Sequence, residues 1–485
     1  MPEMKTFSIQ TLGCRVNHYE SEQIAAVLVR RGLAQVPSPA GDVRVVHTCS
    51  VTTAAAKGSR QSVRRATRLT VLGQDETPEF PAAGTAKVVV TGCWATSDPA
   101  AAAAIAGVDA VITNHEDVNA RLTALLDDWA GAATAFAPDD GARLPNPPVA
   151  LRSADAPRPR RAVGSTSLPL LDARQSAHTR AFLKIQDGCD AHCTYCIIPQ
   201  LRPTLWSKSP ADAVAEARAL VAAGHREIVL TGIFLGAYGK PTALRRRQTD
   251  QSEPIATLIH SLCTEVPNLS RVRLSSLEPG DLTPTLLRTL QSHAQVVPHF
   301  HLPLQSGSDP ILRKMNRQYT RAQYLDTAAM LRDAFDRPAI TTDIIAAFPG
   351  ETDADFAATL DVAERVRFIH THAFPYSRRP NTAAARWKDK AVPPDVANAR
   401  IAALTTHAAA CGLAFRQSFL GETVTILVER QSADRPGTIS PLRHGRCERY
   451  FDVAFDSAAT AGDHLRVRID HVTAADTRGT VLGPA

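Results

Sequence analysis

The chain has 485 residues, 44% hydrophobic and 21% charged, with a formal net charge of +6. That length exceeds one hydrophobic core and fits two or three ordinary globular domains, and the mild basic excess permits a polyanionic partner without requiring one. No run of about 18 apolar residues is present, and the opening MPEMKTFSIQTLGC lacks a signal-peptide layout, so a cytoplasmic protein with no membrane partner is expected.

Residues 1–129 alternate strand and helix patterns. KTFSIQTL reads as a strand and YESEQIAAVLVRRG as an amphipathic helix closed by Gly32. The strand VRVVHT, a helix through AAAKGSRQSVRRATR, and the strands AKVVVTG and VDAVIT follow. This alternation predicts a parallel, doubly wound α/β sheet. Residues 130–178 are rich in Pro, Ala and Arg without a period and read as a linker or insertion; the cluster PRPRR within them reads as solvated. Over 179–415 the alternation resumes. FLKIQ, EIVLTG, RVRLSS, HFHLPL, AITTDIIAAFPG and FIHTHAFPY are strand candidates. The segments ADAVAEARALVAAG, TPTLLRTLQ, RAQYLDTAAMLRDA and DADFAATLDVAERV between them are helical, so a complete or partial β/α barrel is predicted. After a helix near 393–417, residues 416–481 carry GETVTILVERQ, RCERYFDVAF and HLRVRIDHVT, whose alternation predicts a small all-β barrel.

Nine cysteines in a chain read as cytoplasmic point to ligands or catalysts rather than disulfides. Cys14, Cys49 and Cys93 each follow a predicted strand, and the carboxyl ends of parallel strands share the edge where open α/β sheets bind ligands. Cys189, Cys193 and Cys196 form a C-x3-C-x2-C loop after the first barrel strand. Structural zinc takes four ligands; no fourth cysteine lies nearby, and His192 falls at an awkward spacing. Three thiolates suit a four-iron cluster with one corner left open for a small molecule, and two such trios suit two clusters. Cys263, Cys411 and Cys447 have no such company and read as ordinary core or surface thiols.

The loop CDAHCTYC, with Tyr195 before its last cysteine, resembles the signature of radical S-adenosylmethionine (SAM) enzymes. With TLGC, HTC and TGC upstream and a β domain downstream, nearly the whole chain resembles the methylthiotransferases of that superfamily. TLGCRVNHYESE, RAFLKIQDGCDAHCTYCIIP, EIVLTGIFLGAYG, RLSSLEP, HFHLPLQSGSD, ITTDIIAAFPGET and FPYSRRPNTAA are similar to the subgroup acting on threonylcarbamoyladenosine in tRNA. The resemblance implies that Cys189, Cys193 and Cys196 hold a [4Fe-4S] cluster whose free iron chelates SAM, and that Cys14, Cys49 and Cys93 hold a second [4Fe-4S] cluster carrying the transferred sulfur. A 5′-deoxyadenosyl radical then abstracts hydrogen from C2 of the modified adenosine at position 37, in the anticodon stem-loop. It also implies an electron donor such as a flavodoxin- or ferredoxin-type reductant, a sulfur donor, and a C-terminal RNA-binding TRAM-like domain.

Tyr195 is placed as a shield for the first cluster, and Glu278 and Gln305, at barrel strand ends, as SAM contacts. Gly350 would let backbone approach a ligand. Arg466 and Arg468, with His471 on the same strand, would share a face toward phosphates. The sequence departs from the family at LRPTLWSK, where Arg202 is kept but Pro203, Trp206 and Lys208 replace the usual residues, and at His47, where Asn is common. Three alternatives remain open at this stage: the same reaction on isopentenyladenosine in tRNA, on a ribosomal protein aspartate, or a non-catalytic zinc-stabilised RNA-binding protein.

Overall fold

The computed structural model describes residues 4–68, 86–134, 168–173, 178–248, 252–429 and 442–485. Most of the Pro/Ala/Arg-rich segment, including PRPRR, lies outside the described residues. The chain divides into two compact units. The first comprises Met1–Gly13, Gln23–Ser50 and Ala55–Pro169, and the second Cys14–Glu22, Val51–Ala54 and Leu170–Ala485.

In the first unit the strands are β1 (Thr6–Thr11), β2 (Ala34–Gln35), β3 (Val43–Thr48), β4 (Lys87–Gly92) and β5 (Ala110–Ile112). They form one parallel sheet in the order β2-β1-β3-β4-β5. Both faces are covered, so the central strands are buried along their length, as parallel sheets require. Phe7, Val43, Val45 and Val89 pack with Leu122, Leu125 and Leu126 of the helix Val118–Thr134, while Val46, Val88 and Val90 pack with Val63 and Trp94 on the other face.

The second unit carries six parallel strands: β6 (Ala181–Lys184), β9 (Glu227–Thr231), β10 (Arg271–Leu274), β11 (His299–His301), β12 (Ala339–Ala346) and β13 (His370–Pro375). Two-residue strands β7 (Gln186–Asp187) and β8 (Trp206–Ser207) pair antiparallel beside them. The strands run β6-β9-β10 and β11-β12-β13, with single bridges Val272↔Val296 and Ser276↔His301 joining the two triplets. This is the partial β/α barrel predicted from the alternation, with the helices Pro210–Ala222, Pro284–Ser292, Arg321–Ala334 and Asp353–Val366 where the apolar periods put them.

The C-terminal region is a closed antiparallel-rich barrel of β14 (Thr423–Val428), β15 (Arg443–Cys447), β16 (Asp452–Phe455), β17 (His464–Val472) and β18 (Thr477–Pro484), around a core of Ile426, Val453, Phe455, Val467 and Ile469. RCERYFDVAF is therefore two strands, not one. The chain reverses between them at Tyr450, whose φ is +73°. A fifth strand, Thr477–Pro484, closes the barrel. By contact this barrel belongs to the same compact unit as the central strands.

Candidate active site

Strand β6 ends at Lys184, and the C-x3-C-x2-C loop begins five residues later, at the carboxyl edge of the parallel strands. Gly188 makes the entry possible: its φ is +78°, and a Cβ there would meet the Thr204 carbonyl oxygen at 2.0 Å. The returning chain passes that close because β7 and β8 pair, and the Cys189 N–H donates to the Arg202 carbonyl at 3.2 Å. The loop base rests on a buried quartet of charges. Lys184 Nζ donates to Glu20 Oε1 at 2.8 Å and to Asp187 Oδ2 at 3.0 Å. Arg202 donates to Glu20 Oε2 at 2.7 Å and to Asp187 Oδ2 at 2.8 Å. Two cations and two carboxylates cancel, which is what burial of formal charge demands. Burial pushes the Asp187 carboxyl up, but Arg202 and Lys184 outweigh it and hold it below the usual range.

Within the loop, Cys189 Sγ accepts from the Ala191 N–H at 3.4 Å and Cys193 Sγ from Arg317 Nη1 at 3.3 Å. Burial pushes the Cys189 thiol up to about 12; the Ala191 N–H works against this, while Cys193, Cys196 and Glu278 add to it. Cys193 and Cys196 thus stand within electrostatic reach of Cys189. Among the described residues no three His, Cys, Asp or Glu side chains close on one point as a single ion would require. Three thiols on one loop are the donor set of a four-iron cluster with one corner left open, each thiolate on its own iron. None of the nine cysteines forms a disulfide.

Tyr195 packs edge-on against Phe348, with Ile311, Met315 and Ile345 around them, and its hydroxyl lies 3.4 Å from Arg317 Nη1. Glu278 is buried, and its carboxylate takes Arg317 Nη2 at 2.7 Å and Arg245 Nη2 at 2.9 Å. It therefore stands one residue removed from the cysteines, with Arg317 between. Gln305 adopts φ +60°, uncommon for a non-glycine residue, held by its N–H to the Asp343 carbonyl at 2.8 Å and its carbonyl to the Ile345 N–H at 3.0 Å. Gly350 has φ +76° and its N–H donates to the Lys390 carbonyl, so it serves a turn. Lys208 is buried, pairing with Glu216 and donating to the Tyr19 hydroxyl at 2.8 Å; it holds the fold rather than reaching for a ligand. Pro203 is exposed, and Trp206 lies under Lys184 Nζ at 5.6 Å. Arg317 and Arg245 had no distinguishing pattern in the sequence.

In the first unit, β3 and β4 end side by side, with Thr48 opposite Gly92, so Cys49 and Cys93 leave adjacent strands at the same level. Gly92 has φ +90°, and a Cβ there would stand 2.5 Å from both the His47 ring and the Thr48 carbonyl oxygen. His47 is thus packed into the sheet edge. Ser59 Oγ accepts from the Cys49 N–H at 2.9 Å and donates to its carbonyl at 2.8 Å, while Asn114 Nδ2 lies 3.9 Å from Cys93 Sγ. Leu12 and Gly13 separate Cys14 from the end of β1, and its thiol lies 3.9 Å from Asn17 Oδ1. In the C-terminal barrel, Arg466 and Arg468 are both exposed on one face of β17, Arg468 pairing with Asp470, while a register shift beside His471 leaves it exposed too.

Residues 183–363 match the family model "Radical SAM superfamily", and residues 6–113 match "Uncharacterized protein family UPF0004". A threonylcarbamoyladenosine tRNA methylthiotransferase of Bacillus subtilis is 33% identical, over 88% of this chain and 85% of its own. One of Chlamydia pneumoniae is 33% identical over 96% of each chain. A tRNA-2-methylthio-N(6)-dimethylallyladenosine synthase of Sorangium cellulosum is 34% identical, over 94% of this chain and 88% of its own. Among solved structures, a radical S-adenosylmethionine methyltransferase of Kitasatospora setae shares the fold, with a TM-score of 0.54 at 14% identity, over 79% of this chain and 74% of that one.

Proposed function

We propose that this chain, which belongs to the methylthiotransferase family of radical S-adenosylmethionine enzymes, adds a methylthio group to C2 of N6-threonylcarbamoyladenosine at position 37 of tRNA. Radical SAM membership brings a [4Fe-4S] cluster and SAM as cofactors. The observation that carries the reading is the Cys189–Cys193–Cys196 loop at the end of β6, held on a neutral buried quartet with Arg317 behind it. When bound, the clusters and SAM supply the 5′-deoxyadenosyl radical and the sulfur.

The chain's own residues do the rest. Cys189, Cys193 and Cys196 would hold the first cluster, Arg317 donating to one of its sulfurs and Glu278 fixing Arg317. Tyr195 covers one flank of the loop, and Gln305 would meet SAM from its strained position. Cys14, Cys49 and Cys93, each following a strand of the parallel sheet (β1, β3 and β4), would hold the second cluster. Arg466 and Arg468 would meet tRNA phosphates. A flavodoxin- or ferredoxin-type reductant and a separate sulfur donor would serve the enzyme in the cytoplasm; among the described residues no helix is long and apolar enough to cross a membrane.

The same transfer to dimethylallyladenosine is the second reading, favoured by the 34% identity to the Sorangium enzyme. Mass spectrometry of tRNA nucleosides from a strain lacking the gene separates the two. Loss of 2-methylthio-N6-threonylcarbamoyladenosine, with its precursor accumulating and the gene restoring it, supports the first reading. Loss of the dimethylallyl methylthio nucleoside instead supports the second.

A further inference from the structure

Strand β13 reads HTHAFP, and its alternation puts His370, His372 and Phe374 on one face, all exposed, while Thr371 on the other face is buried. Strands β11 and β12 present His301, Thr341 and Asp343 at the same level, because His301 pairs with Thr341, Thr341 with His370, and Asp343 with His372. This face is turned away from the helices: Thr342, on the opposite face, lies against the Tyr324 hydroxyl of the helix Arg321–Ala334. His301 Nε2 stands 3.3 Å from Asp343 Oδ2 and its Nδ1 3.0 Å from Thr341 Oγ1. His370 Nε2 and His372 Nδ1 are 3.2 Å apart. With one hydrogen between those two, the neutral pair keeps one further N–H, at His370 Nδ1 or His372 Nε2 according to the tautomer, and among the described residues neither atom meets a hydrogen-bond partner. Phe374, 43% exposed, lies parallel to the His372 ring.

This polar face is close to the cysteine loop. Two residues beyond Asp343 on the same face of β12, roughly 7 Å along the strand, Ile345 packs into the cluster that holds Tyr195. Paired imidazoles and a carboxylate, exposed beside an active loop, contribute little to packing. They match a substituent that offers both a hydroxyl and a carboxylate, and they leave an apolar one unmatched.

Resting on the substrate reading above, we propose that the remaining N–H of the hydrogen-bonded His370–His372 pair reads the carboxylate of the threonylcarbamoyl substituent and Asp343 its hydroxyl, with His301 orienting Asp343. A site built to hydrogen-bond a substituent discriminates strongly against one that lacks the groups. The test is a binding titration of the full-length, cluster-loaded enzyme. The probes are anticodon stem-loop RNAs bearing threonylcarbamoyladenosine, isopentenyladenosine or plain adenosine at one position. The wild type is expected to prefer the threonylcarbamoyl RNA over the plain RNA by about tenfold or more. The double substitution His370→Ala, His372→Ala brings that ratio near one, with iron content and affinity for the plain RNA retained. His370→Gln, His372→Gln, which keeps amide donors on this face, recovers part of the ratio. A double alanine variant with the preference intact overturns the proposal while leaving the substrate reading standing. A wild type that prefers the isopentenyl RNA overturns the substrate reading, and the proposal with it.

Discussion

Arg317 lies 124 positions beyond Cys193, yet its Nη1 stands 3.3 Å from the Cys193 sulfur while its Nη2 pairs with Glu278 at 2.7 Å. A hydrogen bond to a ligating sulfur stabilises the reduced, more negative state of a cluster. Arg317→Lys removes the forked geometry that reaches both partners. The cluster potential is then expected to fall by roughly 40 mV, the one-electron equivalent of about 1 kcal/mol. Potentiometric titration of the loaded enzyme reads this, and an unchanged potential would confine Arg317 to a packing role. Replacing any of the six cysteines, for instance Cys49→Ala or Cys193→Ala, is expected to abolish methylthio transfer and take iron from about eight to about four per chain. A fully active variant of either sinks the two-cluster reading. The cysteines were legible because ligation needs one residue type at set places, either close in sequence or directly after strands. Arg317, Arg245 and the imidazoles of β13 were not, since only folding brings them to the site and an arginine or histidine in sequence carries no mark of its partner.

At the scale of the element, the cysteine loop depends on the strand before it and the turn beneath it. Lys184 closes β6 and neutralises Glu20 and Asp187 from inside the protein. Lys184→Met leaves two buried carboxylates facing Arg202 alone. Breaking a buried pair in this way costs about 3–5 kcal/mol. Urea unfolding should show that loss, and iron incorporation should fall, whereas Trp206→Phe, which keeps an aromatic ring beside Lys184, should change stability by less than about 1 kcal/mol. The same reasoning explains which elements the sequence disclosed. Strands such as β3, β4 and β9 stood out as apolar runs because both faces are buried, and four helices stood out by their apolar period. The helix Pro254–Glu265 is not among the elements expected from the sequence, although Ile255, Leu258, Ile259 and Leu262 line its buried face and Thr257, His260 and Thr264 its exposed one. The last barrel strand, TRGTVLGP, was missed because its two glycines and weak alternation resemble a loop, and its order comes from pairing with β17. Tyr450 hid the reversal between β15 and β16, since an aromatic residue at positive φ is uncommon and reads as strand.

For the molecule, the connection that matters within the second unit is the one between the parallel strands and the closed C-terminal barrel. Glu227, buried at the start of β9, takes Arg273 Nε at 2.7 Å and Arg271 Nη1 at 3.4 Å. The same arginines reach into the barrel: Arg271 Nη2 donates to the Thr425 carbonyl at 2.5 Å and Arg273 Nη1 to the Glu448 carbonyl at 3.2 Å. Tyr450 lies against Arg273 and Arg446 and stacks on His299 of β11. Burial pushes the Glu227 carboxyl up, but Arg273, Arg271 and Arg180 outweigh it and bring it down from 4.5 to about 2. A carboxyl lowered on folding adds stability that is fully present above its unfolded value and is lost as pH falls through its folded value. That contribution, on the order of 3 kcal/mol, is therefore complete above about pH 4.5 and gone near pH 2. Chemical denaturation across this window should show wild-type stability falling with acid. Glu227→Gln should be less stable at neutral pH, because Arg271 and Arg273 lose their buried counter-charge, and its stability should fall less steeply between pH 4.5 and 2. If the two slopes coincide, the acid sensitivity of this unit lies in other carboxylates and Glu227 is not the charge that couples the strands to the barrel.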